Sequence, residues 1–318
     1  MSERPTSIDV EQAAERIAPF VHRTPVLTCE AIDKMVGARV FLKCENLQKV
    51  GAFKFRGACN AIFSLGEHEA AQGVATHSSG NHGAALALAA RRRGIQAHVV
   101  MPEISSQAKM IAVAGYGAKI TTCGKSLADR DEALRQVVAD TGATVIHPFN
   151  DNRVIAGQGT AALELLEEIP TLDVIMAPVG GGGLISGTAI ATGSRSRARV
   201  IGVEPAGADD AWQSFQAGEL LPGSPPETIA DGLRTGLGDM TFPIIKDLVN
   251  DIVRVSEEAI VYAMRTTWER TKLIIEPSAA VPLAALLDRQ INLTGHNIGI
   301  ILSGGNVDLE RLPFPRKP

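Results

Sequence analysis

Short apolar runs and helical patterns take turns along most of this chain, and that rhythm restricts the folds it can enter. Strand-like runs lie at Gly73 to His77, Ala97 to Met101, Lys119 to Cys123 and Thr144 to Pro148. Between them come helical patterns at Asn81 to Arg93, Ser106 to Ala114 and Leu127 to Asp140. A second set follows: helix Gly159 to Ile169, strand Asp173 to Val179, helix Leu184 to Thr192 and strand Arg199 to Glu204. Gly- and Pro-rich stretches at Pro222 to Pro226 and Asp231 to Gly238 interrupt it. Strand Asp251 to Val255, helices Glu257 to Thr271 and Pro277 to Asp288, and strand Asn297 to Ser303 then complete the pattern. Upstream, Ser7 caps a helix over Ile8 to Phe20, Arg23 to Val26 reads as an extended entry, and Arg39 to Cys44 reads as a strand. Strands alternating with helices at this spacing make βαβ units and parallel sheets. The expectation is an α/β protein with two parallel-sheet layers or domains and a cleft at the strand C-termini.

Composition narrows the function classes. Hydrophobic residues make up 45% and charged residues 21%, with a net charge of -4, so the chain has no basic footprint for nucleic acid. Four cysteines, Cys29, Cys44, Cys59 and Cys123, show no CxxC spacing and read as reduced thiols. No stretch is long and apolar enough for a bilayer, and the N-terminus lacks an apolar signal core. A cytoplasmic enzyme acting on a small molecule is expected.

The chemistry centres on Glu45 to Asn60. Lys54 stands between Phe53 and Phe55, where a strand and loop hand over to a helical pattern running from Phe55 to Leu65. An apolar setting and the cations Lys49 and Arg56 would both favour its neutral amine, which can form a Schiff base with a carbonyl. A surface lysine at a helix start has the same local sequence.

Gly180 to Gly183 follow a strand and open a helix, so backbone N–H groups can converge on a phosphate. Ser78-Ser79-Gly80-Asn81-His82 also opens a helix, and its hydroxyls, amide and N–H groups suit a substrate carboxylate. Its serines alone would suit a plain helix cap, and His82 by itself reads as a packing histidine. Ser303 beside Gly304 and Gly305 can reach a ligand ring or simply make a turn. Glu204, followed by Asp209 and Asp210, with a loop carbonyl, could hold a hard divalent cation.

Together these motifs resemble the fold-type II pyridoxal 5′-phosphate (PLP) enzymes, in the branch of the serine/threonine dehydratases, serine racemases and 3-hydroxyaspartate dehydratases. The resemblance runs in order through Gly51 to Gly57, His77 to Gly83, Ile155 to Thr160, Pro178 to Gly183, Gly202 to Pro205, Thr228 to Gly232, Glu276 to Ala279 and Leu302 to Asp308. It implies a tryptophan synthase β-like fold, with a large domain from 1–71 and 150–318 and a small inserted domain at 72–149. It implies PLP on Lys54, Phe53 against the ring, Asn81 at the ring hydroxyl, Gly180, Gly181, Gly182 and Gly183 around the phosphate, and Ser303 at the pyridine nitrogen.

The same resemblance makes Lys54 the general base and Ser79 a proton-transfer group on the opposite face. Ser78, Ser79, Gly80, Asn81 and His82 become the substrate-carboxylate loop. Arg130 could pair with a second carboxylate, although Asp129 to Glu132 also reads as a solvated helix start. Glu204, Asp210 and the carbonyl of Ala208 match a divalent-cation site for Mg²⁺, with Mn²⁺ or Ca²⁺ as alternatives. Ala52 departs from the family's more frequent serine, and the run to Pro318 leaves no regulatory domain expected.

The implied activity is dehydration and deamination of L-serine, L-threonine or 3-hydroxyaspartate to a 2-oxo acid and ammonia, by a homodimer. Serine racemisation with elimination as a side reaction is the alternative. A β-replacement synthase and a non-catalytic amino-acid sensor are the remaining readings.

Overall fold

The computed structural model describes residues 4–78, 80–105 and 107–314 of the chain. Ser79 therefore lies outside the described residues. From the N-terminus come α1 (Ser7–Ile17), β1 (Val26–Thr28), α2 (Glu30–Val36), β2 (Arg39–Lys43), α3 (Lys54–Phe63) and α4 (Glu67–Ala71). Next are β3 (Val74–His77), α5 (Asn81–Arg93), β4 (Ala97–Pro102), α6 (Gln107–Gly115), β5 (Lys119–Cys123), α7 (Leu127–Thr141) and β6 (Thr144–Val145). After them run α8 (Asn152–Glu168), β7 (Val174–Pro178), α9 (Gly183–Arg195), β8 (Arg199–Pro205), α10 (Asp210–Ala217) and α11 (Thr241–Leu248). The last elements are β9 (Asp251–Val255), α12 (Glu257–Thr271), α13 (Pro277–Leu287) and β10 (Asn297–Ile301).

Two sheets result. The larger has the order β1-β2-β10-β7-β8-β9 and the smaller β5-β4-β3-β6. Every pairing is parallel except β1 with β2, where Leu27 stands opposite Leu42. The five residues of β7 are all buried, as a strand covered by helices on both faces must be. The expected parallel α/β architecture is present.

Close helix packing sets the position of Lys54. α8 packs against both α3 and α9, and glycines stand where backbones touch. A Cβ on Gly157 would lie 2.6 Å from the Cα of Gly57, so neither helix can carry a side chain there. Behind this seam lies a buried ionic cluster. Arg56 donates from Nε and Nη2 to Glu45 at 2.7 and 2.8 Å, and from Nη1 and Nη2 to Glu164 at 2.7 and 2.8 Å. Lys43 completes it with 2.6 Å to Glu164. Full pairing is what lets an arginine side chain with no solvent exposure persist in a core.

Several boundaries differ from expectation. The N-cap of α1 is Thr6 rather than Ser7, because Asp9 accepts hydrogen bonds from Thr6 N and Oγ1, both at 2.7 Å. Helix α8 begins at Asn152, seven residues before Gly159, with the Asp151 side chain accepting from Arg153 N. Strand pairing at Thr144 stops at Val145, and His147 to Asn150 form a loop facing the cleft. The free cysteines behave as expected: Cys44, Cys59 and Cys123 are buried and Cys29 is half-buried. Among the described residues no helix is long and apolar enough to cross a membrane.

Candidate active site

Lys54 is the first residue of α3, and the turn before it is tied to the end of β10. Ala52 bridges Gly304, Phe53 N donates to Ser303 O at 3.0 Å, and Gly305 N donates to Gly51 O at 2.9 Å. Val50 has φ 58°, left-handed backbone that a β-branched residue rarely adopts. Asn306 braces it, donating from Nδ2 to Val50 O at 2.7 Å.

The Lys54 amine donates to Pro148 O at 2.9 Å and lies 5.1 Å from the Phe53 ring centroid. Burial pushes its pKa down to about 8, against an opposing pull from Glu276. Lys49 and Arg56 do not cause this shift, contrary to expectation. Arg56 is neutralised by Glu45 and Glu164, and Lys49 turns away to donate to Phe20 O.

The glycine turn has the geometry of an anion cradle. Gly180, Gly181, Gly182 and Gly183 are all buried, yet the N–H groups of Gly180, Gly181 and Gly182 find no acceptor among the described residues. Buried, unpaired N–H groups at the start of the thirteen-residue helix α9 fit a phosphate. Phe149 roofs the turn: a Cβ on Gly181 would overlap its ring, and one on Gly183 would lie 3.0 Å from its Cβ. His147 orients this roof by accepting from Phe149 N at 3.3 Å and Asn150 N at 2.9 Å through Nδ1. Burial, and then the charges of His77 and Lys54, hold the His147 pKa down at about 4.

At the head of α5, Ser78 Oγ accepts from Gly80 N at 3.3 Å, and a Cβ on Gly80 would meet nothing. His82 is buried, with Nε2 3.2 Å from Ile146 O and Nδ1 without a partner among the described residues. A carbonyl only accepts, so Nε2 carries the proton and Nδ1 is an acceptor. Burial and the nearby Lys54 lower the His82 pKa to about 3, which keeps it so. His82 can thus accept from a loop hydroxyl or N–H, but it has no proton on Nδ1 for a carboxylate.

Asn81 points its amide at an acid for which no role was expected. Its Nδ2 donates to both carboxyl oxygens of Glu276, at 3.0 and 3.1 Å, and its Oδ1 accepts from Asn306 Nδ2 at 2.9 Å. Burial first, and then Asp231, raise the Glu276 pKa to about 7. Glu276 sits within a recognised motif, but its contact with Asn81 appears only once the fold brings the two together. Ser303 is buried, and its carbonyl holds the turn before Lys54 through Phe53 N.

Arg130 is half-buried: its Nη2 donates to Lys125 O at 3.0 Å, and its Nε is buried without a partner among the described residues. It lies close enough to His77 for its charge to help depress that histidine's pKa, after burial. The neighbouring Asp131 is 3.5 Å from His77 Nε2.

The suspected cation site lies at the C-terminal end of β8, where Glu204 stands, and the loop into α10. Glu204 accepts from Ala211 N and Trp212 N at 3.3 and 2.7 Å, and Asp210 accepts from Leu237 N at 3.0 Å. Burial and the proximity of Asp210 raise the Glu204 pKa well above the usual range. Asp209 instead pairs with Arg254 at 2.8 Å. Ala208 is buried on the same loop. Two crowded carboxyls suit a cation, but among the described residues no three acidic, His or Cys side chains gather as a ligand set.

Comparison with known proteins gives the family. The profile for pyridoxal-phosphate dependent enzymes matches residues 17–304. A beta-hydroxyaspartate dehydratase of Paracoccus denitrificans is 48% identical over 98% of this chain and 99% of its own. The L-threo-3-hydroxyaspartate ammonia-lyase of Saccharomyces cerevisiae is 45% identical over 96% of this chain and 95% of its own. The crystal structure of serine racemase from Dictyostelium discoideum superposes with a TM-score of 0.93 at 48% identity, covering 96% of this chain and 99% of that one. With its buried lysine and unpaired glycine N–H groups, the chain belongs to the pyridoxal-phosphate-dependent enzymes, in the fold-type II branch of the hydroxyaspartate dehydratases and serine racemases.

Proposed function

We propose that this protein dehydrates and deaminates a small β-hydroxy amino acid, L-serine, L-threonine or 3-hydroxyaspartate, to a 2-oxo acid and ammonia. The observation that carries the reading is the Pro148–Phe149 pair. Pro148 O accepts from the Lys54 amine while the Phe149 ring lies on Gly181, so one dipeptide joins the reactive amine to the unpaired N–H groups. Lys54 would hold the cofactor's aldehyde carbon, the glycine turn its phosphate, Asn81 its ring hydroxyl, Phe53 its face and Ser303 its ring nitrogen. When bound, pyridoxal phosphate supplies the electron sink that acidifies the substrate's α-carbon.

This chain's residues do the rest. The loop from Ser78 to His82 seats the substrate carboxylate on its hydroxyl and N–H groups. Lys54, once released from the cofactor, takes the α-proton as its neutral amine, a form that its lowered pKa of about 8 keeps accessible. The β-hydroxyl leaves as water with the proton that Lys54 took from the α-carbon, and a later water molecule releases ammonia. Ser79 stands as the opposite-face proton donor in the racemase alternative.

Arg130 pairs with the distal carboxylate of 3-hydroxyaspartate, supported by its buried, unpartnered Nε. Glu204, Asp210 and the Ala208 carbonyl take Mg²⁺, with Mn²⁺ or Ca²⁺ as substitutes. The small inserted domain spans 72–149 and the large one 1–71 and 150–318, supported by the smaller sheet being one unbroken segment. A cytoplasmic homodimer completes it.

The test is 2-oxo acid release from L- and D-serine, L-threonine and the 3-hydroxyaspartate isomers, with Mg²⁺ and with a chelator. Lys54→Ala should abolish turnover and the cofactor's visible band, and retained turnover would sink the assignment. Arg130→Ala should reduce hydroxyaspartate turnover about tenfold or more while sparing serine. Equal loss on both would remove the distal-carboxylate role.

A further inference from the structure

Glu276 is held more deliberately than a helix cap requires. It precedes α13, where its side chain makes no capping bond to that helix. Its carboxyl instead accepts from Asn81 Nδ2 and from Asn306 N at 3.1 Å, while its backbone N donates to Gly304 O at 3.0 Å. Gly304 is confined to glycine by this carboxyl: a Cβ there would lie 2.6 Å from Oε1. Space has been left for an acid at the back of the cleft.

We infer that Glu276 is a positioning residue that fixes the Asn81 amide, with one Nδ2 hydrogen held on the carboxyl and the other left for the cofactor's ring oxygen. The inference rests on the proposed placement of that cofactor at Lys54 and Asn81. An amide has two nearly equivalent ends, and nothing in its own shape selects between them. Two acceptor oxygens on one side and the Asn306 donor on the other do select: Nδ2 must face Glu276 and Oδ1 must face Asn306 Nδ2. That orientation presents a donor to a ring oxygen and stabilises it as an oxyanion.

The groups facing Glu276 are Asn81 on α5, Lys54 on α3, Lys109 on α6, Asp231 on the loop before Leu233, and Asn306. Burial, with Asp231 adding and the hydrogen bonds from Asn81 and Asn306, then Lys109, opposing, puts its titration near pH 7. As the carboxyl gains a proton it becomes partly a donor, and its hold on Asn81 Nδ2 weakens. The ring oxygen should then lose its donor at lower pH, which the visible band reports.

The experiment titrates the visible band of the holoenzyme from pH 5.5 to 8.5 in the wild type, Glu276→Gln, Asn81→Ala and the double variant. Borohydride trapping of the cofactor on Lys54 is followed by mass spectrometry. We expect a wild-type midpoint near 7 that Glu276→Gln abolishes, with trapping retained. kcat should fall by about tenfold, one hydrogen bond to a charged group, with little change in KM. In the Asn81→Ala background the Glu276 change should add nothing further. A flat wild-type band, an unchanged midpoint in Glu276→Gln, or additive effects would overturn the inference while trapping still upheld the cofactor site. Failure of trapping in the wild type would overturn both. The wild-type titration decides the matter even if the variant does not fold.

Discussion

Lys109 Nζ and Asp231 Oδ2 meet at 2.6 Å, joining α6 beside the smaller sheet to the loop beside the larger one, 122 residues further along. Both side chains are nearly half exposed, so the pair adds at most about 1 kcal/mol to stability. Its larger effect is on Glu276, which Asp231 pushes up and Lys109 pulls down. Asp231→Asn should therefore lower the pH midpoint of the visible band, and Lys109→Met should raise it, with little change in melting temperature. Shifts of the same sign in both variants would show that another group controls the titration.

The buried Lys54 amine makes its own prediction for the cofactor-free protein. Its folded pKa of about 8 lies below the ordinary 10.5, so the unfolded chain binds the proton more readily. A lysine lowered in this way costs stability below pH 8, and the cost fades as pH rises to 10.5. Lys54→Met should thus melt higher than wild type at pH 7, and the gap should close by pH 10.5. Scanning calorimetry of both apo forms across that range measures it.

Two glycines of one helix should behave in opposite ways. Gly183→Ala places a methyl group against Phe149 and should cost about 1–3 kcal/mol, along with cofactor retention. Gly193→Ala, later in α9 and exposed with nothing near its Cβ, should gain about 0.5–1 kcal/mol. Urea melts with and without added pyridoxal phosphate separate the two.

The cluster around Arg56 should be intolerant of single changes. Arg56→Met leaves Glu45 and part of Glu164 buried without a countercharge, at a cost of about 3–5 kcal/mol. Loss of less than about 1 kcal/mol by chemical denaturation would mean that water or Lys43 takes over the compensation.

Much of the fold could be read from the sequence because local patterns agreed with the tertiary outcome. Strand β5 at Lys119–Cys123 and helix α12 at Glu257–Thr271 fall where periodicity placed them. The start of α8 was hidden because Gly157 and Gly159 look like breakers, while their real task is to let α3 and α9 approach. Helices α2, α4, α10 and α11 have five to eight residues and too few turns to show a period. Lys54 and the glycine turn were legible because each is a contiguous motif. Glu276 was not, since its meaning comes from Asn81, 195 residues earlier. The protonation state of His82 likewise depends on a carbonyl at Ile146 that no local pattern marks.

The place of β10 in the larger sheet bears on how the protein is made. It inserts between β2 and β7, pairing Asn297 with Arg39 and Ile298 with Val174, and its continuation holds Phe53 through the Ser303 carbonyl. While the ribosome is still synthesising the chain, β2 and β7 have no neighbour to bridge them, and the turn before Lys54 has no brace. The smaller sheet, contiguous from Val74 to Val145, can close long before. Assembly of the site is thus deferred until β10 and the Ser303 that follows it have left the exit tunnel. A nascent chain stalled before Asn297 should therefore bind pyridoxal phosphate poorly and expose two unpaired strand edges to chaperones.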